Sequence, residues 1–143
     1  QVEAAFIRAL PTLLRYDGKH VEGATDDSSS TISQALPLYA DVMRSVYAEF
    51  PDNPDVACIF GQSLMNLRPW NLYTMSSTQD VPAGSPQPGT VELLGVLEKS
   101  LQSNPNHVGL RHLWIHAVEM GPTPEQGLDP GVRRNHSATA CQV

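Results

Sequence analysis

Apolar side chains recur every three or four positions along most of the chain, which is the spacing of a helix that buries one face. Val56, Phe60 and Leu64 show this spacing within one segment. No segment alternates apolar and polar residues as a half-buried strand does. The pattern therefore predicts an all-α protein, with helices over residues 2–16, 36–50, 54–67, 90–103 and 107–120.

Polar stretches separate these predicted helices. Residues 17–35 are predicted to form a linker that contains a run of aspartates and serines. Residues 68–89 form a long loop rich in proline and glycine, which in a compact domain indicates a lid or an insertion. Residues 127–143 carry almost no large apolar side chain and are expected to be a disordered tail, which leaves 1–126 as the helical domain. Pro11 is expected to kink or divide the first helix.

The helices of the second half repeat those of the first. Placing Pro51 on Pro105, an offset of 54 residues, brings Phe60 onto Trp114. Each helix pair spans 34 residues, which is the length of a tetratricopeptide (TPR) unit, and Thr90 is the predicted cap that opens the second pair. We therefore expect TPR-like antiparallel helix pairs stacked as a short α-solenoid, with Phe60 and Trp114 buried between the pairs.

The last predicted helix carries unusual polar chemistry. Its His112, His116 and Glu119 fall on one side, opposite the apolar stripe. Imidazoles one turn apart, followed by a carboxylate, suit a divalent metal such as Zn, Cu or Ni, or an acid/base group. His107 at the helix start is a possible further ligand, although a role in the first turn is favoured. The favoured interpretation of the whole face is a polar surface that packs against a missing neighbouring helix and satisfies its hydrogen bonds there.

Two longer segments resemble one protein family. They are Leu64–Tyr73 (LMNLRPWNLY) and His107–Glu119, which has the pattern HxGxxHLxIHxxE. Together they resemble a group of uncharacterised TPR-domain proteins of bacteria and fungi, over about residues 2–126. The resemblance implies a TPR-like fold and no known reaction. Relatives of this kind continue into a second histidine-rich segment after the position of Glu125, so the chain is interpreted as truncated or divergent at its end.

Composition excludes several kinds of partner. The formal net charge is −6, and the only adjacent basic pair is Arg133-Arg134, which argues against nucleic acid. No apolar run is long enough to span a membrane and no signal peptide opens the chain, so a cytoplasmic location is expected. Cys58 and Cys141 form no disulfide framework and fit a reducing compartment.

Two classes of function are consistent with these patterns. The first is a TPR-like scaffold that binds a protein or peptide. The second is a metal-dependent or acid/base enzyme that uses the His112, His116 and Glu119 face. Trp70 is either a ligand-facing aromatic at the mouth of the long loop or, as we favour, a plug at the end of a helix pair.

Overall fold

The computed structural model of the protein describes residues 1–14, 28–78 and 80–128. Within these residues the chain is all-helical, as predicted, and its only extended pairing is an isolated bridge between Tyr73 and Pro86. None of the described helices has the length and apolar character needed to cross a bilayer. The helices are α1 (Val2–Leu14), α2 (Ser28–Glu49), α3 (Pro54–Met65), α4 (Thr90–Ser103), α5 (Val108–Glu119) and a short 3₁₀ helix (Pro124–Gly127).

Each α-helix packs against the next one along the chain, and α3 also contacts α5. The α3–α4 contact is close because Gly61 has no side chain. A Cβ atom at that position would lie 3.2 Å from the Leu97 Cδ2 atom. Helix α3 therefore lies at the centre of the fold, between α2 on one side and the α4–α5 pair on the other.

The core contains the two aromatic residues that the repeat alignment pairs. Phe60 and Trp114 are each only 1% exposed, which confirms that both are buried. The apolar stripe predicted on the last helix is also confirmed, because its five members are all buried in α5. They are Leu110, Leu113, Trp114, Ala117 and Val118. The Trp114 indole N–H donates to the Gln126 carbonyl at 2.8 Å, so the 3₁₀ helix is held against α5. Burial of an indole with its polar atom satisfied is strongly stabilising.

Arg44 links the second and fourth helices. Its guanidinium donates to both carboxylate oxygens of Glu92, at 2.7 and 3.0 Å, and also contacts Asp41. The same group lies over the Phe60 ring, 5.7 Å from the ring centroid. The Glu92 contact, followed by that with Asp41, raises the pKa of the Arg44 guanidinium despite partial burial. A planar cation is thus held between an aromatic face and carboxylates.

The helix starts show where the local predictions held and where they failed. Asn53 caps α3, because its side-chain oxygen accepts from the Asp55 and Val56 backbone N–H groups. Helix α4 covers the predicted residues, but Thr90 is its first residue and Gly89 occupies the cap position. The Thr90 hydroxyl instead donates to the Leu72 carbonyl at 2.7 Å, so it anchors the loop that precedes the helix.

The predicted linker is partly wrong. Helix α2 begins at Ser28, so residues 28–35 are helical, while 15–27 lie outside the described residues. The helical spacing of apolar residues in α2 extends towards its start through Leu36, Ala35 and Ile32. This spacing outweighs the weak helix preference of the serines in that segment. Pro11 does not divide α1, which is continuous from Val2 to Leu14. The predicted tail also lies outside the described residues from residue 129 onwards.

The long loop between α3 and α4 packs onto the fold. Leu72 and Tyr73 are buried, and the Tyr73 hydroxyl donates to the Ala117 carbonyl of α5 at 2.9 Å. Backbone bonds between Thr74 and Ser85, and between Leu72 and Gln87, close the loop on itself. The loop is therefore a compact insertion with its own hydrogen bonds, whose first residues are positioned against α5.

Candidate functional site

Helix α5 is opened by a histidine rather than by one of the usual capping residues. The His107 Nδ1 atom accepts from the Leu110 backbone N–H at 3.1 Å, and its Nε2 atom lies 3.1 Å from Asp55 Oδ1. Both ring nitrogens are therefore occupied at the helix start. His107 does not line the cavity that holds the other α5 histidines, so it is not a fourth member of their cluster. The favoured role of His107 in the first turn is therefore confirmed.

Cys58 lies beside this cap but is not activated by it. Burial, and secondarily the charge of Asp55, raise the pKa of the Cys58 thiol. The His107 Nδ1 atom cannot accept the thiol proton because it already accepts from Leu110. Cys58, His107 and Asp55 therefore resemble a catalytic triad only in composition, and their contacts are those of a helix-packing site.

His112 and His116 form a pair on the outer side of α5. Their ring centroids are 4.6 Å apart and the rings are nearly perpendicular, as expected for residues one helical turn apart. The His116 side chain is 37% exposed, whereas His112 as a residue is exposed. His116 is thus the inner member of the pair, and it has neighbours on several sides.

His116 and Glu119 form a hydrogen-bonded dyad. The His116 Nδ1 atom lies 2.7 Å from Glu119 Oε1. An ionised carboxylate only accepts hydrogen bonds, so the proton of this contact belongs to Nδ1. In the neutral ring the lone pair is then on Nε2, the atom that serves as a general base, an acceptor or a metal ligand. The geometry therefore gives His116 a defined tautomer.

Trp70 stands at the edge of the same site. It is 75% exposed, and its ring centroid lies 6.4 Å from that of His116 in an edge-on arrangement. The favoured prediction, a tryptophan that plugs the end of a helix pair, is wrong. The exposed ring follows a left-handed backbone, because Trp70 has φ = 58°, a conformation that bulky residues rarely adopt. It is the only non-glycine residue with positive φ among those described.

These residues enclose an open cavity of about 270 Å³. It lies between the end of α3, the start of the long loop and the outer side of α5. The predicted Trp70, His112, His116 and Glu119 all line it. The remaining lining residues are Gln62, Met65, Asn66, Pro69, Leu72, Leu113 and Met120.

The sequence patterns missed the contribution of α3 to this cavity. Gln62 donates from its side-chain amide to the Asn66 Oδ1 atom at 2.9 Å, one turn further along. Both residues carry side-chain amides and lie one helical turn apart. This spacing is the feature of the sequence that could have indicated a shared polar site. Tyr73 was also missed. Its hydrogen bond to Ala117 fixes the loop that presents Trp70.

A complete metal site is not found in the part of the chain that is described. No group of three or more His, Cys, Asp or Glu side chains there is arranged to hold an ion. His112 and His116 supply two imidazoles, and Glu119 is already bonded to His116. A coordination shell would need further ligands from outside the described residues or from another molecule.

Searches of protein-family models, of curated proteins and of solved structures gave no match to this chain. The resemblance to TPR-domain proteins therefore remains a prediction from the two sequence motifs. The functional argument rests on the cavity between α3 and α5 and on the side chains that line it.

Proposed function

We propose that the protein is a TPR-like interaction scaffold that binds a peptide segment of a partner protein in the cavity between α3 and α5. Helices that pack in chain order support this architecture, as does the burial of Phe60 and Trp114 at equivalent repeat positions. A cytoplasmic location belongs to the same proposal and is supported by Cys58, which is a free thiol.

The exposed indole of Trp70 is the observation that carries this proposal. Tryptophan is among the residues that contribute most to binding energy at protein interfaces. Here the ring borders a cavity with an apolar floor of Met65, Leu72 and Leu113. An aromatic rim around an apolar cavity with a few polar groups is typical of sites that bind a side chain of another molecule.

Peptide selection tests the proposal directly. A library of random peptides displayed on phage is panned against the wild-type chain, and enriched peptides are then measured by calorimetry against the wild type and Trp70→Ala. We expect enriched peptides whose affinity falls by about tenfold or more in the variant. Val108→Ala is the control, because Val108 is 81% exposed and lies outside the cavity lining. Failure to enrich any peptide, or equal binding to Trp70→Ala, would refute the proposed site.

An acid/base enzyme is the second candidate, favoured by the His116–Glu119 dyad. A carboxylate that orients an imidazole is a common arrangement for a general base. The probe is 5-nitrobenzisoxazole, in which a base removes the carbon-bound proton while the N–O bond breaks and its electron pair passes to the phenolate oxygen. An enzyme of this kind should accelerate the reaction above buffer, and His116→Ala should remove the acceleration.

A metal-dependent version of this second candidate predicts a different result. Zn, Cu or Ni should raise the melting temperature, because a ligand that binds only the folded form stabilises it. The double variant His112→Ala/His116→Ala should abolish the shift, whereas His20→Ala and His136→Ala should retain it. If none of the three metals raises the melting temperature, the metal-dependent candidate fails, and the scaffold and the metal-free acid/base enzyme remain.

A further inference from the structure

We propose that the group bound beside Trp70 is the guanidinium of an arginine side chain from the partner protein. This inference rests on the proposed function and adds the chemistry of the ligand. Its first support is charge. The cavity lining contains one carboxylate, that of Glu119, and no lysine or arginine. The whole chain carries a formal net charge of −6, so a cation is also attracted at longer range.

The second support is the aromatic rim. Trp70 is 75% exposed, so most of its ring surface is available to a ligand, and the His116 ring lies nearly perpendicular to it with the centroids 6.4 Å apart. Indole has the most favourable ring face for a cation, and the flat guanidinium stacks on it better than the compact ammonium of lysine. A planar cation therefore uses the exposed surface of Trp70 most completely.

The third support is the pattern of hydrogen-bond acceptors. The contact between His116 and Glu119 uses Nδ1 and Oε1, which leaves His116 Nε2 and Glu119 Oε2 to accept from a ligand. A guanidinium has five N–H donors and no acceptor, so it can satisfy two separated acceptors while it stacks. The apolar floor, formed by residues such as Met65 and Leu113, suits the methylene stem of arginine.

The protein already contains one guanidinium held by the same two kinds of group. Arg44 lies over the Phe60 ring and donates to both carboxylate oxygens of Glu92. An aromatic ring and a carboxylate also line the cavity together, where Trp70 and Glu119 each contact His116. There, however, the described lining contributes no cation of its own.

The test compares two small probes that differ by one charge. Nα-acetyl-arginine amide is titrated into the full chain by calorimetry, with Nα-acetyl-citrulline amide as the neutral match of nearly equal shape. We expect weak binding of the arginine probe and affinity lower by about tenfold or more for citrulline. Quenching of tryptophan fluorescence should accompany binding, because Trp70 is exposed whereas Trp114 is buried.

Variants locate the binding to the cavity. Trp70→Ala and Glu119→Gln should each weaken the arginine probe by about tenfold. Glu98→Gln removes the same charge from α4, which does not line the cavity, and should leave the affinity unchanged. Circular dichroism and the melting temperature show whether each variant is folded. Equal affinity for the two probes, or full binding by folded Glu119→Gln, would overturn the inference.

The selected peptides distinguish this inference from the proposed function. Peptides that require Trp70 and lose affinity when an arginine is replaced by citrulline support both. Peptides that require Trp70 but contain no arginine overturn the guanidinium inference and leave the scaffold proposal standing. If neither peptides nor the arginine probe bind, both proposals fail.

Discussion

The Tyr73 hydroxyl donates a buried hydrogen bond to the Ala117 carbonyl, and this contact helps to join the long loop to the helix that carries the histidines. The two residues are 44 positions apart in the chain. Close packing reinforces the bond, because a Cβ atom added to Gly121 would lie 2.8 Å from the Tyr73 ring. The position of Trp70 relative to His116 therefore depends on a residue outside the cavity lining.

Tyr73→Phe tests this dependence. Removing the hydroxyl should lower the free energy of unfolding by about 1 kcal/mol, the usual contribution of one such bond. It should also weaken the binding of any ligand that needs Trp70, although Tyr73 does not line the cavity. Denaturant melts and calorimetry with a selected peptide measure the two effects. Unchanged affinity in Tyr73→Phe would show that the loop is positioned by other contacts.

Truncation of the two tryptophans should lower the free energy of unfolding by very different amounts. Trp114→Ala should cost about 3–5 kcal/mol, as should Phe60→Ala, because each leaves a cavity in the core. Trp70→Ala should cost far less, since its ring is 75% exposed. Urea unfolding of the three variants provides the comparison. A Trp114→Ala protein that melts like the wild type would contradict the repeat packing.

Gly109 explains a position of the HxGxxH pattern in steric terms. A Cβ atom there would lie 2.7 Å from the Cys58 Sγ atom, so Gly109→Ala should destabilise by about 1–3 kcal/mol. Combining it with Cys58→Ala should recover much of that loss, because the colliding sulfur is gone. Gly95→Ala is the control, since nothing lies within 4 Å and a helical glycine is replaced, and it should stabilise by about 0.5–1 kcal/mol. Thermal or urea melts of Gly109→Ala, of Gly109→Ala combined with Cys58→Ala and of Gly95→Ala measure these differences.

The Cys58 thiol should react slowly and only at high pH. Burial and the charge of Asp55 raise its pKa, so less of the nucleophilic thiolate is present at a given pH. In a Cys141→Ser background, the rate of iodoacetamide alkylation should rise at a higher pH for the folded protein than for the urea-unfolded chain. A folded profile that coincides with the unfolded one would contradict the burial of this thiol.

The raised pKa of the Cys58 thiol also affects the stability of the fold at alkaline pH. A thiol whose pKa is raised by folding holds its proton more tightly in the folded state than in the unfolded chain. The stabilising contribution of this thiol is therefore present when the pH is below the ordinary thiol pKa. It is lost as the pH rises through that ordinary pKa towards the raised pKa of the folded state. Cys58→Ala should remove this part of the alkaline destabilisation, which melts across an alkaline pH series would measure.

The helices that begin directly after clear turn or capping residues were predictable from the sequence. Helix α3 starts at Pro54 behind its Asn53 cap, and α4 spans the predicted residues. The start of α2 was missed because serine-rich segments have little preference of their own and tertiary packing decides their state. Pro37 lies inside α2 rather than in its first turn, because the helix begins at Ser28.

The site was predictable where one helix carries it. His112, His116 and Glu119 share a face because of helical geometry alone, and the structure brings them to one cavity. Trp70 was misjudged because its exposure accompanies a left-handed backbone conformation within the loop, which the order of residues does not indicate. Gln62 and Asn66 became relevant only once α3 was placed beside α5.

The left-handed backbone at Trp70 also bears on how tightly a ligand can be held. A bulky residue in that conformation is disfavoured in an unfolded chain, so the folded loop has to maintain the backbone that presents the indole. A partner then meets a loop whose backbone is already ordered, and this part of the ordering cost is not charged to association. Affinity at this site should consequently respond to loop flexibility as much as to the contacts themselves.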